Sequence, residues 1–268
     1  MIGAIAGDII GSRFEWFNYK GKDFDLFTNQ CSFTDDSVMS LAVCHALLHC
    51  KDDFSDLGKQ AIHSMQLIGQ NYPYCGYGTH FSAWMFEICP QPYNSFGNGA
   101  AMRVSGCGYA ASSLEEAKRL SKAVTEVSHN HPEGLKGAEA TAVAVFLART
   151  GHSKQEIVEY IRKHYYSIDF TLDQIRPAYR FDVSCQGSVP QAIEAFYEST
   201  DYEDAIRNAI SIGGDSDTIG AIAGGIAGAY YGVPDSIRKK AVTYLDQRLM
   251  GILEAFEHRY TARTDEGA

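Results

Sequence analysis

The stretch Ser211–Tyr231, SIGGDSDTIGAIAGGIAGAYY, decides the fold. Its second half is an apolar run in which Gly220, Gly224, Gly228 and Gly232 follow one another at intervals of four. This spacing places all four glycines on one face of a helix, where a neighbouring backbone can approach closely. Because glycine inside a helix costs about 1 kcal/mol relative to alanine, four glycines in register indicate a packing role. We therefore predict a helix that runs through the core.

The first half of the stretch brings polar groups to the start of this predicted helix. The glycine pair at 213–214 is typical of a turn, which places Asp215 and Asp217 in the cap and first turn, followed by the hydroxyl of Thr218. The helix is thus predicted to deliver two carboxylates and a hydroxyl to one point at its N-terminal end.

Glycine also recurs every four residues at the start of the chain. Gly3, Gly7 and Gly11 predict a short buried helix within residues 1–13, a partner for the glycine face of the core helix. The segment FEWFNYKGKDFDLF that follows has the aromatic and acidic composition of a loop. This arrangement predicts a close pair of helices formed by opposite ends of the sequence.

Helical patterns continue along the rest of the chain, without alternation of strands and helices and without internal repeats. Pro190 is predicted in the first turn of one helix, and Pro234 begins a last amphipathic helix that ends near Tyr260. We predict an all-α fold, a single compact multi-helix domain of the orthogonal-bundle kind over residues 1–262, with a frayed tail at 263–268. An α/β fold is the weaker alternative.

Composition and charge disfavour several classes of protein. The net charge of −10 disfavours broad attraction to nucleic acid or an anionic membrane, although a local basic patch stays open. Asp8 interrupts the apolar N-terminus, which argues against a signal peptide. The apolar run after Thr218 is shorter than a membrane span and is typical of a buried core helix. Seven cysteines without a CxxC pair fit buried thiols in a reducing compartment. We predict a cytoplasmic protein with no membrane partner.

A second acidic motif, TDDS at 34–37, precedes the helical pattern VMSLAVCHALLHC. Threonine and aspartate are good N-caps, and acids in a first turn complement the helix dipole, so capping is an even alternative for either motif alone. Capping needs one side chain per helix, whereas each of these two helices offers three oxygen-bearing groups. The surplus of oxygens points to a shared site.

Convergence of the two helix starts would place four carboxylates in one small volume. Two like charges about 4 Å apart cost on the order of 4 kcal/mol at an effective dielectric near 20, whereas a helix dipole offsets only about 0.3–1 kcal/mol. The carboxylates must then take up protons or bind a divalent cation. Carboxylate and hydroxyl oxygens suit Mg²⁺ or Mn²⁺, in a number sufficient for two ions. Such a site can bind a hydroxylated or phosphorylated substrate and activate water.

The glycine-rich segment SFGNGAAMR at 95–103 runs into a predicted helix of small residues. Glycines let backbone N–H groups approach a phosphate, and a helix start favours negative charge, so this loop could cradle an anion. A glycine turn before a helix is usually only a turn, and both interpretations stay open.

Five segments together resemble the ADP-ribosylglycohydrolase family. They are TDDS at 34–37, GNGAAMR at 97–103, SHNHPEG at 128–134, SVPQA at 188–192 and GGDSDT at 213–218, in the family's order, within a similarity that extends from Gly7 to Gly232. The resemblance implies an all-α fold of that family's type. It also implies cleavage of the N- or O-glycosidic bond between the distal ribose of ADP-ribose and a modified side chain or another acceptor.

The resemblance further implies roles for individual residues. Two Mg²⁺ or Mn²⁺ ions would be held by Thr34, Asp35, Asp36, Asp215, Asp217 and Thr218. Glu15, on a mobile loop near the metals, would position or deprotonate the attacking water, and Asp36 belongs to the catalytic set as well. Contacts with the ADP-ribose would come from Gly97, Asn98, Gly99, Ala100, Met102 and His129.

The implied partner is an ADP-ribosylated protein or a small ADP-ribosyl adduct, and we expect a monomer. His131 is predicted to be structural, and His45 and His49 are discounted as metal ligands because no HExxH pattern surrounds them. Arg103 could offset phosphate charge or form a structural ion pair. Two alternatives to the hydrolase stay open, a non-catalytic ADP-ribose-binding relative and a two-metal hydrolase of phosphate esters.

Overall fold

The computed structural model describes residues 1–261, and the predicted tail at 263–268 lies outside them. Within the described residues all regular structure is helical, apart from one isolated antiparallel bridge between Gly97 and Ser184. The predicted all-α fold is therefore confirmed, and the α/β alternative is wrong.

The helices of the first half of the chain are α1 Ile2–Gly11, α2 Asp35–His49, α3 Leu57–Gly69, α4 Thr79–Phe86, α5 Gly99–Met102, α6 Ser105–Ala110, α7 Leu114–Thr125 and α8 Pro132–Arg149. Those of the second half are α9 Lys154–His164, α10 Leu172–Ile175, α11 Cys185–Tyr197, α12 Tyr202–Ser211, α13 Ser216–Tyr231, α14 Asp235–Ala241 and α15 Gln247–Tyr260. Short 3-10 turns follow α1 at Ser12–Phe14 and α14 at Val242–Tyr244.

Helix α13 is the centre of the molecule. Every residue from Ser216 to Ala227 is buried, and the helix packs against α1, α8, α11 and α12. The predicted core helix is thus confirmed. Because its apolar side chains are surrounded on all sides, its N-terminal end is held at a fixed point, and this point lies in the functional site described below.

Helices α1 and α13 cross at glycines. A Cβ atom on Gly7 would overlap the carbonyl oxygen of Gly220, and a Cβ on Gly220 would stand 2.6 Å from the carbonyl oxygen of Gly7. Only hydrogen at both positions allows this separation of the two backbones. The pairing of the two glycine stripes, predicted from their common spacing, is confirmed.

Three predicted details are wrong. Gly232 lies beyond the end of α13 with a φ of +76°, so it ends the helix and takes no part in the glycine face. Pro190 lies inside α11, because Ser184 caps that helix through a hydrogen bond from the Gly187 N–H. The last helix is two helices, since Asp246 caps a new one by accepting from the Leu249 N–H at 2.9 Å.

All seven cysteines are free thiols, in agreement with the expectation of no disulfide framework. Four of them are buried, but Cys89 is exposed and two are half-buried, so the expectation of buried thiols holds only in part. Among the helices of residues 1–261, none has both the length and the apolar composition that crossing a membrane requires.

Candidate metal centre and substrate cleft

The N-terminal ends of α2 and α13 meet in the structure. Thr34 caps α2, and its Oγ1 accepts a hydrogen bond from the Asp36 N–H at 3.2 Å. Asp215 occupies the N-cap position of α13. Across the junction, Thr218 Oγ1 donates to Asp36 Oδ2 at 3.2 Å. The two acidic motifs, far apart in the sequence, therefore share one site.

Three carboxylates in this site lie especially close together. One oxygen from each of Glu15, Asp215 and Asp217 lies within 4.8 Å of the other two, and Asp35 and Asp36 line the same cleft. Burial first, and then the neighbouring carboxylates, raise the pKa of Asp217 and of Asp36 well above the usual range. The same two causes raise the pKa of Glu15 to about 7. No cationic side chain of the described residues pairs with these acids, so they must share protons or bind a cation.

The donor set fits a hard divalent cation. Asp36 Oδ1 is buried without a hydrogen-bond partner among the described residues, an arrangement that costs about 1–3 kcal/mol when nothing else binds the atom. Thr218 Oγ1 donates its hydrogen to Asp36 and keeps lone pairs for another partner. Carboxylate and hydroxyl oxygens are the ligands that Mg²⁺ and Mn²⁺ prefer in proteins. A cation here would satisfy the unpaired oxygen and offset the repulsion.

Asp8 is a part of the site that the sequence analysis did not select. It is fully buried in α1, and four donors surround its carboxylate. The Thr34 N–H and hydroxyl donate at 3.0 and 2.7 Å, the Ser37 N–H donates at 3.1 Å, and the Ser37 hydroxyl donates as well. A single acid within the apolar run MIGAIAGDIIG was the available signal, because an isolated acid in a buried helix needs partners.

The loop that carries Glu15 is attached to the turn before α13. Asn18 Oδ1 accepts from the Gly214 N–H at 3.1 Å. Lys20 Nζ donates to the Tyr179 carbonyl oxygen at 2.6 Å and to the carbonyl oxygen of Ile212. These contacts hold the segment that carries Glu15 beside the two aspartates of α13.

The glycine-rich loop borders the acidic cluster through Asn98. The Asn98 amide nitrogen donates to Asp215 Oδ2 at 2.7 Å and to Ser188 Oγ at 3.0 Å, so this side chain orients a cluster carboxylate. Ala100 is fully buried, and its N–H donates to the Gly97 carbonyl oxygen at 3.1 Å. Helix α5 after the loop has only four residues, so the helix dipole invoked for anion binding is small.

One cleft of about 580 Å³ contains the acidic cluster and the glycine-rich loop. Of the residues predicted to contact ADP-ribose, Gly97, Asn98, Gly99, Met102 and His129 line it, and Ala100 does not. Aromatic side chains form much of the remaining wall, and the rings of Trp16 and Phe181 stack with centroids 5.2 Å apart. The volume and the mixture of apolar wall and convergent polar groups are typical of a small-molecule site.

Contacts in the structure decide the predicted roles of His131, His45 and Arg103. His131 is structural, as predicted, because its Nδ1 caps α8 by accepting from the Glu133 N–H at 3.1 Å. His45 hydrogen-bonds with Ser64 Oγ at 2.9 Å, as expected for a packing residue. The structural ion pair considered for Arg103 is wrong, because no carboxylate of the described residues pairs with its buried guanidinium.

Comparison with known proteins gives the family. The chain matches the ADP-ribosylglycohydrolase family over residues 1–265, and it belongs to that family. Human ADP-ribosylhydrolase ARH3 is 28% identical over 323 residues, which cover 91% of this chain and 88% of the human protein. The Bos taurus protein of the same name is 27% identical over 280 residues, covering 81% of this chain and 76% of its own. ADP-ribosylarginine hydrolase Tri1 of Pseudomonas putida is 28% identical over 166 residues, covering 57% of this chain and 44% of Tri1.

A solved structure gives the same fold. It is described as an ADP-ribosylglycohydrolase-related protein complex and matches with a TM-score of 0.69 at 21% identity, over 96% of this chain and 95% of that one. The predicted family and its all-α fold are confirmed. Membership supports glycohydrolase chemistry on ADP-ribosyl groups, and the acidic cluster agrees with the divalent-metal dependence that is general in the family.

Proposed function

We propose that this protein hydrolyses the glycosidic bond that joins ADP-ribose to a protein side chain or a small acceptor, with two Mg²⁺ or Mn²⁺ ions. The ions would be held by Thr34, Asp35, Asp36, Asp215, Asp217 and Thr218. The observation that carries the proposal is the contact between Asp36 and Thr218, 182 residues apart, with Glu15 beside the same cluster. The family and the names of the ARH3 and Tri1 relatives support the substrate class.

Glu15 is the proposed general base. Its carboxylate lies beside Asp215 and Asp217, where it could accept a proton from a water molecule bound in the cleft. The water oxygen bonds to C1 of the distal ribose, the bond from C1 to the acceptor nitrogen or oxygen breaks, and the proton on Glu15 passes to the departing acceptor. Bound cations would lower the pKa of water and stabilise developing negative charge. Asp36 would act with Glu15 by holding a cation through Oδ1, which has no partner among the described residues.

The remaining predicted residues are proposed to hold ADP-ribose. Gly97, Gly99, Met102 and His129 would contact it directly in the cleft. Asn98 would act mainly through Asp215, and Ala100 would support the loop from beneath. A monomer and a cytoplasmic location remain part of the proposal, and the seven free thiols support a reducing compartment.

A panel of ADP-ribosyl adducts tests this function. ADP-ribose linked to arginine, to serine, to a nucleic-acid end or to a small acceptor is incubated with Mg²⁺, Mn²⁺ or EDTA, and free ADP-ribose is measured. We expect release from at least one adduct with metal and none in EDTA. Inorganic phosphate or AMP as the product would mean a phosphate-ester hydrolase, and binding of ADP-ribose without turnover of any adduct would mean a non-catalytic relative.

Variants of the cluster test the assigned roles. Asp215→Ala should abolish turnover and weaken Mg²⁺ binding while the helical circular dichroism stays largely intact. Glu15→Gln should lower kcat by about 100-fold or more, as for the loss of a general base, with less than about a threefold change in the Kd of ADP-ribose. The matched control Glu126→Gln, at a half-exposed position on the surface, should leave kcat unchanged. An unchanged rate in Glu15→Gln would remove Glu15 from its role.

A further inference from the structure

His129, beside the glycine-rich loop, stands at the end of a buried hydrogen-bond chain. Arg103 is 1% exposed, and its Nη2 donates to Ser128 Oγ at 2.8 Å and approaches His129 Nδ1 at 3.5 Å. Ser128 Oγ lies 2.8 Å from the same Nδ1. Buried charges are ordinarily paired, yet no carboxylate of the described residues pairs with this guanidinium. This hydrogen-bond chain therefore connects the buried guanidinium of Arg103, which has no carboxylate partner among the described residues, with the cleft.

The hydrogens along this chain determine the tautomer of His129. Arginine only donates, so Nη2 and Ser128 Oγ meet as donor and acceptor. The Ser128 hydrogen then has His129 Nδ1 as its acceptor. A hydrogen on Nδ1 would leave the serine hydrogen without an acceptor among the described residues and would oppose the nearby guanidinium. Burial, followed by Arg103, lowers the pKa of His129 well below its usual range. The neutral ring thus carries its hydrogen on Nε2.

The Nε2 atom of His129 is directed towards the glycine-rich loop. A Cβ on Gly99 would stand 3.4 Å from Nε2, and a Cβ on Gly97 would stand 3.7 Å from it. The rings of Tyr93 and Phe81 lie beside the imidazole, with centroids 5.6 and 6.2 Å away. The hydrogen bonds of this side chain within the described residues all involve Nδ1. The Nε2–H group is therefore available to a ligand.

We propose that Arg103 and Ser128 are positioning residues that fix His129, assigned above as a contact of ADP-ribose, as an Nε2–H donor, and that this fixed tautomer makes the cleft favour ligands that carry phosphate oxygens over neutral ones. The inference rests on the proposed function for the presence of ADP-ribose in the cleft. An anionic acceptor is favoured because hydrogen bonds to ionised groups are about twice as strong as neutral ones. The positive charge of Arg103 also polarises each successive donor in the chain.

The tautomer is measured on the unmodified protein. In protein with ¹⁵N-labelled histidine, we expect the His129 signal at pH 7 to show an unprotonated Nδ1 and a protonated Nε2. Loss of that signal in His129→Gln identifies it among the nine histidines. A hydrogen on Nδ1 would overturn the proposal. This measurement requires no turnover, and the tautomer itself is read from the unmodified protein, since His129→Gln serves only to identify the signal.

Ligand binding tests the consequence, with ADP and adenosine as probes in competition with ADP-ribose. Ser128→Ala should weaken ADP binding about 10-fold, the loss expected for a weakened hydrogen bond to a charged group, and should leave adenosine binding within about twofold. Ser128→Thr, which keeps the hydroxyl, should restore ADP binding. Ser121→Ala is the matched control, since Ser121 is a buried serine whose hydroxyl, within residues 1–261, donates only to the Lys118 carbonyl oxygen at 3.0 Å.

The outcomes separate this proposal from the proposed function. Equal losses of ADP and adenosine binding in Ser128→Ala would indicate a merely structural serine and would overturn the proposal. Failure of the proposed function would appear instead as no release of ADP-ribose from any adduct. The tautomer of His129 and the difference between ADP and adenosine binding still decide the present proposal in that case, because neither measurement requires turnover.

Discussion

Asp8 orients Thr34, one of the proposed metal ligands. The Thr34 hydroxyl donates to Asp8 and accepts from the Asp36 N–H, which leaves one lone pair on Oγ1 for a cation. Burial raises the pKa of Asp8 to about 6, and the four hydrogen bonds it accepts limit the rise because they favour the ionised form. The carboxylate thus determines which way the hydroxyl hydrogen points.

We predict that Asp8→Asn weakens metal binding without removing a ligand. Asparagine keeps one acceptor oxygen, which the backbone N–H groups of Thr34 and Ser37 require at the position of Oδ2. The amide NH₂ group then takes the position of Oδ1, so the Thr34 hydroxyl loses its acceptor and its hydrogen turns towards another partner. The affinity for Mg²⁺ should fall about 10-fold or more, as for other groups that orient metal ligands, and the free energy of unfolding should fall by about 2 kcal/mol. Calorimetric Mg²⁺ titration and urea unfolding measure the two effects.

Asp201→Asn is the matched control for this substitution. Asp201 caps α12 by accepting from the Asp204 N–H at 2.8 Å, away from the cleft, and asparagine is as good a cap as aspartate. The unfolding free energy of the Asp201→Asn variant should differ from that of the unmodified protein by less than about 0.5 kcal/mol. An Mg²⁺ affinity in Asp8→Asn equal to that of the unmodified protein would exclude the orienting role of Asp8.

At the scale of elements, the crossing of α1 and α13 sets the geometry of the site. Helix α1 supplies Asp8, and α13 supplies Asp217 and Thr218. The contact of Gly7 with Gly220 lies one residue from Asp8 and two from Thr218, so the backbone separation at the glycines fixes the distance between the acids. A change in this separation would move the carboxylates by a similar amount, because buried helices transmit strain.

We predict that Gly7→Ala destabilises the fold and disrupts the site. The added methyl group would overlap the backbone of α13, which has no side chain to rotate away. The unfolding free energy should fall by about 3 kcal/mol or more, in the upper range for overpacking, and any folded protein should bind Mg²⁺ weakly. Thermal unfolding with and without Mg²⁺ measures both.

Gly251→Ala is the matched control, because Gly251 lies in helix α15 and a Cβ there would have no neighbouring atom within 4 Å. Alanine is the better helix former by about 1 kcal/mol, so this variant should be more stable than the unmodified protein. If Gly7→Ala behaved like Gly251→Ala, the close crossing of α1 and α13 would be contradicted.

This crossing could be predicted from the sequence because a spacing of four fixes the face on which glycines lie. The ends of other helices could not be predicted equally well. Asp246 divides the C-terminal helix because its carboxylate caps a new one, and Ser184 starts α11 early for the same reason. Ser, Thr and Asp occur throughout the chain, so the pattern alone does not show which of them caps a helix.

The candidate site was predictable to a similar extent. The two acidic motifs could be identified because each has more side-chain oxygens than capping one helix needs, and the structure brings the motifs together. The connection of Asn98 to Asp215 and of Arg103 to Ser128 depends on contacts between distant segments. Single residues of these types have no spacing that distinguishes them from ordinary polar residues, so the sequence alone could not reveal either contact.

At the scale of the whole molecule, the buried acids couple folding to protons, and the proposed cations would add a second coupling. The folded state raises the pKa of Asp35, Asp36 and Asp217 well above the unfolded value, so above about pH 4 these three groups bind more protons in the folded state than in the unfolded chain. In the absence of metal, their contribution to stability is therefore complete at low pH and is lost as the pH rises. Acids whose pKa is lowered in the folded state, such as Asp204 and Asp246, instead contribute stability that is present at neutral pH and is lost as the pH falls.

We predict that Asp217→Asn isolates this effect. Asparagine can keep the hydrogen bond from the Thr218 N–H, now 3.0 Å from Asp217 Oδ1, and has no proton to lose. In EDTA the variant should match the unmodified protein near pH 4 and exceed its unfolding free energy increasingly as the pH rises to 7. Chemical unfolding across this range of pH measures the difference.

Addition of Mg²⁺ at pH 7 should reverse the order of the two proteins. A cation present at about 100 times its Kd stabilises the unmodified protein by about 2.7 kcal/mol, whereas Asp217→Asn lacks one ligand and gains less. The acidic cluster then stabilises the fold only when it holds a cation, as expected for a site whose charge exceeds what its own residues neutralise. If Mg²⁺ and Mn²⁺ stabilised both proteins equally, Asp217 would be excluded as a metal ligand.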